Sequence, residues 1–132
     1  MVERLGARGD GIATLETGDR IYIPFAAPGD RLKVRVGRKR GDGRIAHIID
    51  VLEPGDSRVD PPCRHFRRCG GCTLQHLSEG SLGGLKSGIL EQALGQQGIR
   101  NFELAPAVTV PPGLRRRAEF AISHGRNTTI GF

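Results

Sequence analysis

All three cysteines of the chain fall in one short stretch, Pro61-Pro62-Cys63-Arg64-His65-Phe66-Arg67-Arg68-Cys69-Gly70-Gly71-Cys72. The spacing C-x5-C-x2-C, with two glycines in the inner loop, predicts three thiolates folded back onto one point. A disulfide framework would leave one of the three unpaired, so the pattern points to a metal centre. Structural zinc sites and iron–sulfur clusters both take four protein ligands as a rule. Cys63, Cys69 and Cys72 supply three, so the fourth is either a histidine or a residue beyond Phe132. His65 lies inside the loop, and His76 follows Cys72 by four positions, a separation that zinc sites use. The more ordinary role for either histidine is a bond to backbone or water, or support of a ligand from behind.

Other chemistries lack their residues. No G-x-G-x-x-G follows a strand and opens a helix, and Gly83-Gly84-Leu85-Lys86-Ser87 lacks the glycine directly before lysine that a phosphate-binding loop needs. Asp56 and Asp60 sit among turn residues, and no Ser/His/Asp arrangement has recognisable context.

The elements that must hold the cysteine loop are short strands. Gly9-Asp10-Gly11 precedes Ile12-Ala13-Thr14-Leu15, and Gly18-Asp19 turns into a strand with Ile21, Ile23 and Phe25 on one face. After the turn Pro28-Gly29-Asp30, Leu32, Val34 and Val36 point to the core while Lys33, Arg35 and Gly37 point out. Gly41-Asp42-Gly43 makes a hairpin turn into a strand that runs to Leu52. So many strands in so few residues cannot leave many open edges, and a small closed barrel of the OB type is the economical answer. The expected fold is mainly β: an OB-like barrel over 1–56, then a partial α+β segment carrying the cysteine loop over 57–132. A helix is expected between about Ser81 and Gln97, with Leu82, Leu85, Ile89 and Ala93 at helical spacing, Leu90 and Leu94 widening the stripe, and Gly98 as C-cap. Gly83, Gly84 and Gly88 each weaken it by about 1 kcal/mol, so packing must hold it. A later strand sets Ala118, Phe120 and Ile122 against Arg117, Glu119 and Ala121, then turns through His124-Gly125-Arg126-Asn127. The apolar, strand-like Ile130-Gly131-Phe132 reads as a polypeptide cut in mid-domain.

The formal net charge is +6, and the only lysines are Lys33, Lys39 and Lys86, so the positive charge is nearly all arginine. Guanidinium groups fork onto phosphates and stack on bases, which suits RNA. Lys33, Arg35, Arg38, Lys39, Arg40 and Arg44 flank one hairpin and form the first candidate RNA contact; Arg115, Arg116 and Arg117 form the second. The plainer readings are a solvated hairpin tip and an edge strand guarded by charge. No run approaches a membrane span and no basic amphipathic helix is visible, so a monomeric cytoplasmic protein with reduced thiols and no membrane partner is expected. With no Trp, one Tyr and five Phe the core is thin, and a metal would staple it.

Gly9-Asp10-Gly11-Ile12-Ala13, followed by Ile23-Pro24-Phe25-Ala26-Ala27-Pro28-Gly29-Asp30, resembles the TRAM domain, an RNA-binding OB-like barrel of RNA-modifying enzymes. Ser57-Arg58-Val59-Asp60-Pro61-Pro62-Cys63 and Cys69-Gly70-Gly71-Cys72-Thr73-Leu74-Gln75-His76-Leu77 resemble the iron–sulfur segment of bacterial RNA uracil-5-methyltransferases, the 23S ribosomal RNA type above all. Arg115-Arg116-Arg117-Ala118-Glu119-Phe120 and Ile130-Gly131-Phe132 are similar to that family's central domain. The resemblance covers essentially the whole chain. It implies a 4Fe–4S cluster on Cys63, Cys69 and Cys72 with a fourth cysteine from a later segment, and it favours iron–sulfur over zinc. It implies ribosomal rather than transfer RNA as partner. It also implies a downstream catalytic domain, where a cysteine attacks C6 of uracil, S-adenosylmethionine methylates C5 and a base removes the C5 proton. It places no catalytic residue and no S-adenosylmethionine contact in this chain, which alone is expected to be inactive. The alternative from another class is a stand-alone RNA-binding module with a Cys3His zinc site and no enzymatic activity.

Overall fold

The computed structural model describes residues 1–110, 113–114 and 116–132. Five strands, β1 (Arg4–Leu5), β2 (Gly11–Thr14), β3 (Arg20–Ile23), β4 (Arg31–Arg40) and β5 (Gly43–Glu53), form one sheet in the order β1-β2-β3-β5-β4. All pairs are antiparallel except β3–β5, where Ile21 faces Arg44 and Tyr22 faces Ile45. Gly43 permits that parallel contact. A Cβ there would stand 2.5 Å from the Arg20 carbonyl oxygen, closer than any side chain tolerates.

The alternation read from the sequence fills the interior. Val2, Ala13, Ile21, Ile23, Ala26 and Ala46 are buried together, with Leu15, Leu32, Val34 and Ile48 packed against them. Val36 does not join them. The β4–β5 register shifts between Val36 and Lys39, which breaks the inside–outside alternation and leaves Val36 36% exposed. Phe25 is also misplaced by simple alternation. β3 ends at Ile23, and Phe25 takes a left-handed backbone, φ 64°, that turns its ring away from the strand face.

The closed barrel expected from strand count is open at the seam. Among the described residues no ladder joins β1 to β4, because β1 is only two residues long. Two backbone bonds bridge the gap just ahead of both strands: Val2 N–H donates to Asp30 O at 2.8 Å and Gly29 N–H to Val2 O at 2.9 Å. The result is a mainly β, partly open OB-like sheet.

The helix α1 (Glu79–Gln96) starts two residues earlier than expected, because Ser78 caps it, its hydroxyl accepting from Ser81 N–H at 3.4 Å. Gly98, at φ 77°, ends it as expected, with the Ile99 amide returning to Leu94 O. Its stripe does not reach a core. Leu82, Leu85, Ile89 and Leu94 are half-buried, Ala93 and Leu90 are exposed, and no residue of α1 is buried. Beyond it, β6 (Ala121–His124) and β7 (Thr128–Gly131) pair as a hairpin with Ile122 opposite Ile130. The expected strand is thus shorter than its apolar pattern, and Phe120 instead stacks on Phe132, ring centroids 4.8 Å apart.

Candidate nucleic-acid interface and cysteine loop

The β4–β5 hairpin carries the first basic cluster. Lys33, Arg35, Arg38, Lys39 and Arg44 are exposed, and none forms an ion pair among the described residues. Lys39 stands directly opposite Arg44 in the ladder, a like-charge pair that destabilises a sheet until an anion neutralises it. Arg40 leaves this group. Its Nη1 lies 2.7 Å from Asp10 Oδ2 and its guanidinium sits over the Tyr22 ring at 5.6 Å. Asp42, at the turn, accepts from the Tyr22 hydroxyl and from Arg20 Nη1. The Tyr22 hydroxyl bond, with Arg20 beside it, holds the Asp42 carboxyl below the usual carboxylate range. Sequence reading gave Asp10 and Asp42 only turn roles, since nothing local signals a partner thirty residues away.

The second basic cluster lies elsewhere. Arg116 and Arg117 are exposed and border an open recess of about 1000 Å³ together with Gly70, Gly71 and Phe132. They flank the cysteine loop rather than the hairpin, and Arg115 lies outside the described residues.

The cysteine loop winds through successive turns, Phe66 N–H to Cys63 O and Cys69 N–H to His65 O, with Arg67 at φ 70°. Cys63 is half-buried and Cys69 and Cys72 are exposed, all three as free thiols. The Gly71 amide donates to Cys69 Sγ at 3.4 Å, the kind of bond that stabilises a thiolate. The donor set therefore fits an iron–sulfur centre in kind. In arrangement it differs from the spacing argument: no three Cys, His, Asp or Glu side chains converge on one point among the described residues. Hydrogen bonds fix the turns, but convergence of thiolates draws its energy from the metal–sulfur bonds themselves. The two glycines answer to a neighbour. A Cβ on Gly70 would lie 2.8 Å from the Phe132 carbonyl oxygen, and one on Gly71 would lie 2.8 Å from its ring.

The histidines weighed as zinc ligands have other partners. Arg64 Nε donates to His65 Nε2 at 3.1 Å on the surface. His76 is fully buried, with Nε2 donating to Ala26 O at 3.2 Å and Nδ1 unpartnered among the described residues. Its ring joins Phe25 and Phe66 in a three-ring cluster, at 6.4 and 5.7 Å, with the two phenylalanines 5.3 Å apart. Burial, reinforced by the charges of Arg58 and Arg67, holds its pKa below the usual histidine value despite the Ala26 bond.

Beside it lies a buried polar cluster centred on Asp30. Asp30 is fully buried and accepts from Ala27 N–H at 2.6 Å, Gly55 N–H at 2.9 Å, and Arg58 Nε and Nη2 at 2.9 and 2.6 Å. Arg58 Nη2 also donates to Phe25 O at 2.9 Å. Burial by itself would raise the Asp30 pKa; the Arg58 fork and the two amides outweigh it and bring the carboxyl below its ordinary range. This lock, not the histidine–cysteine proximity seen in sequence, fastens the cysteine segment to the sheet. Within the segment, Val59 N–H donates to His76 O and Ser78 N–H to Ser57 O, both at 2.9 Å, tying its two ends together.

Known proteins resemble this chain. The TRAM domain of tRNA (uracil(54)-C(5))-methyltransferase matches residues 1–56. An uncharacterized RNA methyltransferase of Rhizobium meliloti is 38% identical over 125 residues, 90% of this chain and 28% of that protein. The 23S rRNA (uracil(1939)-C(5))-methyltransferase RlmD of Halomonas elongata is 36% identical over 134 residues, 98% of this chain and 27% of that protein. The chain thus spans less than a third of the curated relatives it matches. The crystal structure of Pyrococcus abyssi tRNA (uracil-54, C5)-methyltransferase, in complex with S-adenosyl-L-homocysteine, superposes with a TM-score of 0.52 at 32% identity, covering 71% of this chain and 20% of that one. With its OB-like strand order and these relatives along its length, the chain carries over residues 1–56 the TRAM domain of the tRNA/rRNA uracil-C5-methyltransferase family and is similar to RNA methyltransferases over the rest.

Proposed function

We propose that these 132 residues are the RNA-binding and cluster-binding part of an S-adenosylmethionine-dependent methyltransferase acting on uracil C5 of RNA, 23S ribosomal RNA in particular. The observation that carries this reading is a TRAM-type sheet whose longest hairpin presents five unpaired cations, two of them directly opposed, in a chain related over nearly its whole length to a ribosomal RNA enzyme. Transfer RNA is the second reading, favoured by the named activity of the TRAM match and of the solved neighbour.

Each group has a distinct task in this reading. Lys33, Arg35, Arg38, Lys39 and Arg44 neutralise backbone phosphates and set the register of the RNA, a contribution insensitive to sequence. Arg116 and Arg117 add positive charge beside the cysteine loop. Cys63, Cys69 and Cys72 hold the iron–sulfur cluster, which would supply a covalent tie for a glycine-rich segment that costs about 1–2 kcal/mol per residue to order. The protein works in the cytoplasm as a monomer. Methyl transfer itself belongs to the length that the relatives have beyond this match.

The test is incorporation of label from tritiated S-adenosylmethionine into unmodified ribosomal and transfer RNA. The polypeptide read from the whole coding frame should label uracil C5 in ribosomal RNA, and these 132 residues should label neither RNA. Preference for transfer RNA would install the second reading; no incorporation into either would overturn both.

A further inference from the structure

Two loops from opposite sides of β3 border one recess over its Tyr22 face: the β1–β2 loop, with Arg8 and Asp10, and the β4–β5 turn, with Gly41 and Asp42. Between them lies a recess of about 380 Å³ whose floor is Tyr22 and whose wall is Arg40. A single stacked nucleobase is of that order of size. OB-like sheets take oligonucleotides across the strand 2–3 face between these two loops.

The recess is built, not incidental. The Arg40 guanidinium lies over the Tyr22 ring at 5.6 Å and is fixed from its far side by Asp10, 2.7 Å away. The ring is fixed in turn at its hydroxyl by Asp42, which Arg20 also holds. Two flat groups, one aromatic and one cationic, are therefore each anchored by a carboxylate at one recess. Both carboxylates are already committed to these partners, so they repel an incoming phosphate less than free ones would. Arg8 is an exposed cation at the mouth of the recess. Flat aromatic and guanidinium faces are what unpaired bases stack on.

We propose that this recess is a stacking site for one unpaired base of the bound RNA, on the Tyr22–Arg40 platform, with Arg8 placed for that nucleotide's phosphate. The proposal rests on the RNA-binding reading above and adds to it a base-dependent component. Phosphate contacts from the β4–β5 cations do not require bases; this site does. Arg40, read from sequence as one more phosphate contact, thus acts through its plane.

Tyr22 is the only tyrosine and the chain has no tryptophan, so intrinsic fluorescence reports this one ring. The intact 132-residue chain is titrated with a short single-stranded oligoribonucleotide, and with an abasic sugar-phosphate oligomer of equal length, correcting for nucleotide absorbance. The base-bearing oligomer should bind more tightly and quench the emission; the abasic one should bind without quenching. Affinities of variants are then read by anisotropy of labelled oligomers. Tyr22→Phe should bind within twofold of the parent, while Tyr22→Leu and Arg40→Lys should each lose about tenfold for the base-bearing oligomer and nothing for the abasic one. Arg40→Lys keeps the charge beside Asp10 and removes only the plane, so it separates stacking from folding. Equal binding of both oligomers with unchanged emission would overturn the stacking site and leave RNA binding standing. Failure of both oligomers to bind would overturn both.

Discussion

The residue that carries most of the fold-to-site connection is Asp30, read from sequence as part of a turn. It is a turn residue, and it is also the buried acceptor that gathers two amides and the Arg58 fork. Removing one partner of such a buried pair costs about 3–5 kcal/mol, because the remaining charge is left unpaired. No local pattern announces this: the carboxylate and its guanidinium are 28 positions apart. His76 is the comparable case. Its spacing from Cys72 fits a ligand, yet its ring nitrogen is spent on Ala26 O inside the sheet. That placement gives a pH prediction. Burial holds the folded-state pKa below the unfolded value of about 6.5, so the unfolded chain takes up the proton first. The contribution is fully present above about pH 6.5 and is lost as pH falls toward the folded value. The urea midpoint should therefore drop between pH 7 and pH 5, and His76→Gln, whose amide can still donate to Ala26 O, should flatten that drop. An identical pH slope in the variant would remove His76 from the account. Asp30 adds a second loss at lower pH, below the ordinary carboxylate value of about 3.9, as its depressed pKa is crossed.

Among the elements, the β4–β5 hairpin makes the strongest claim on an RNA partner. Its cations were legible as a run because the turn glycines and the period of two were legible. Their division was not, since whether an arginine turns inward depends on Asp10 and Tyr22 from other strands. If Arg38 and Arg44 meet phosphates, each releases counterions on binding, and affinity falls linearly with the logarithm of salt. Replacing either by alanine should reduce that slope by about one unit, and both together by about two. A slope unchanged in the double variant would return the hairpin to a solvated tip. Strand assignment was legible in the side-chain pattern, and the seam of the sheet was not. β3 and the first half of β4 alternate cleanly, whereas the seam between the first and fourth strands hangs on Val2 and on two backbone bonds, which no side-chain pattern encodes. The helix shows the converse. Its stop at Gly98 was readable and its Ser78 cap was not; a stripe interrupted by Gly83, Gly84 and Gly88 does not specify what it packs on, and α1 buries nothing fully.

At the scale of the whole molecule the cysteine loop is the part between two others. On one side Arg58 and His76 fix its flanks to the sheet; on the other, Phe132 at the end of the β6–β7 hairpin lies on Gly70 and Gly71. The loop itself has turns and free thiols but no buried apolar side chain of its own between Cys63 and Cys72. A metal centre held there would add stability where packing adds little, its binding energy becoming folding energy. Three cysteines leave one iron of a 4Fe–4S cluster without a protein thiolate, so within these 132 residues that position falls to solvent or an added thiol. Reconstituted without oxygen, the polypeptide of the whole coding frame should be brown, with iron and acid-labile sulfide in comparable amounts. These 132 residues should take up the same cluster and lose it readily to a chelator. Cys69→Ser should abolish uptake while leaving the salt slope of RNA binding intact, because the hairpin cations sit on a separately packed sheet. Stoichiometric zinc with no labile sulfide would overturn the iron–sulfur assignment. A salt slope that changed with Cys69 would mean that loop and sheet bind RNA as one surface, with Arg116 and Arg117 joining the contact only when the loop is closed.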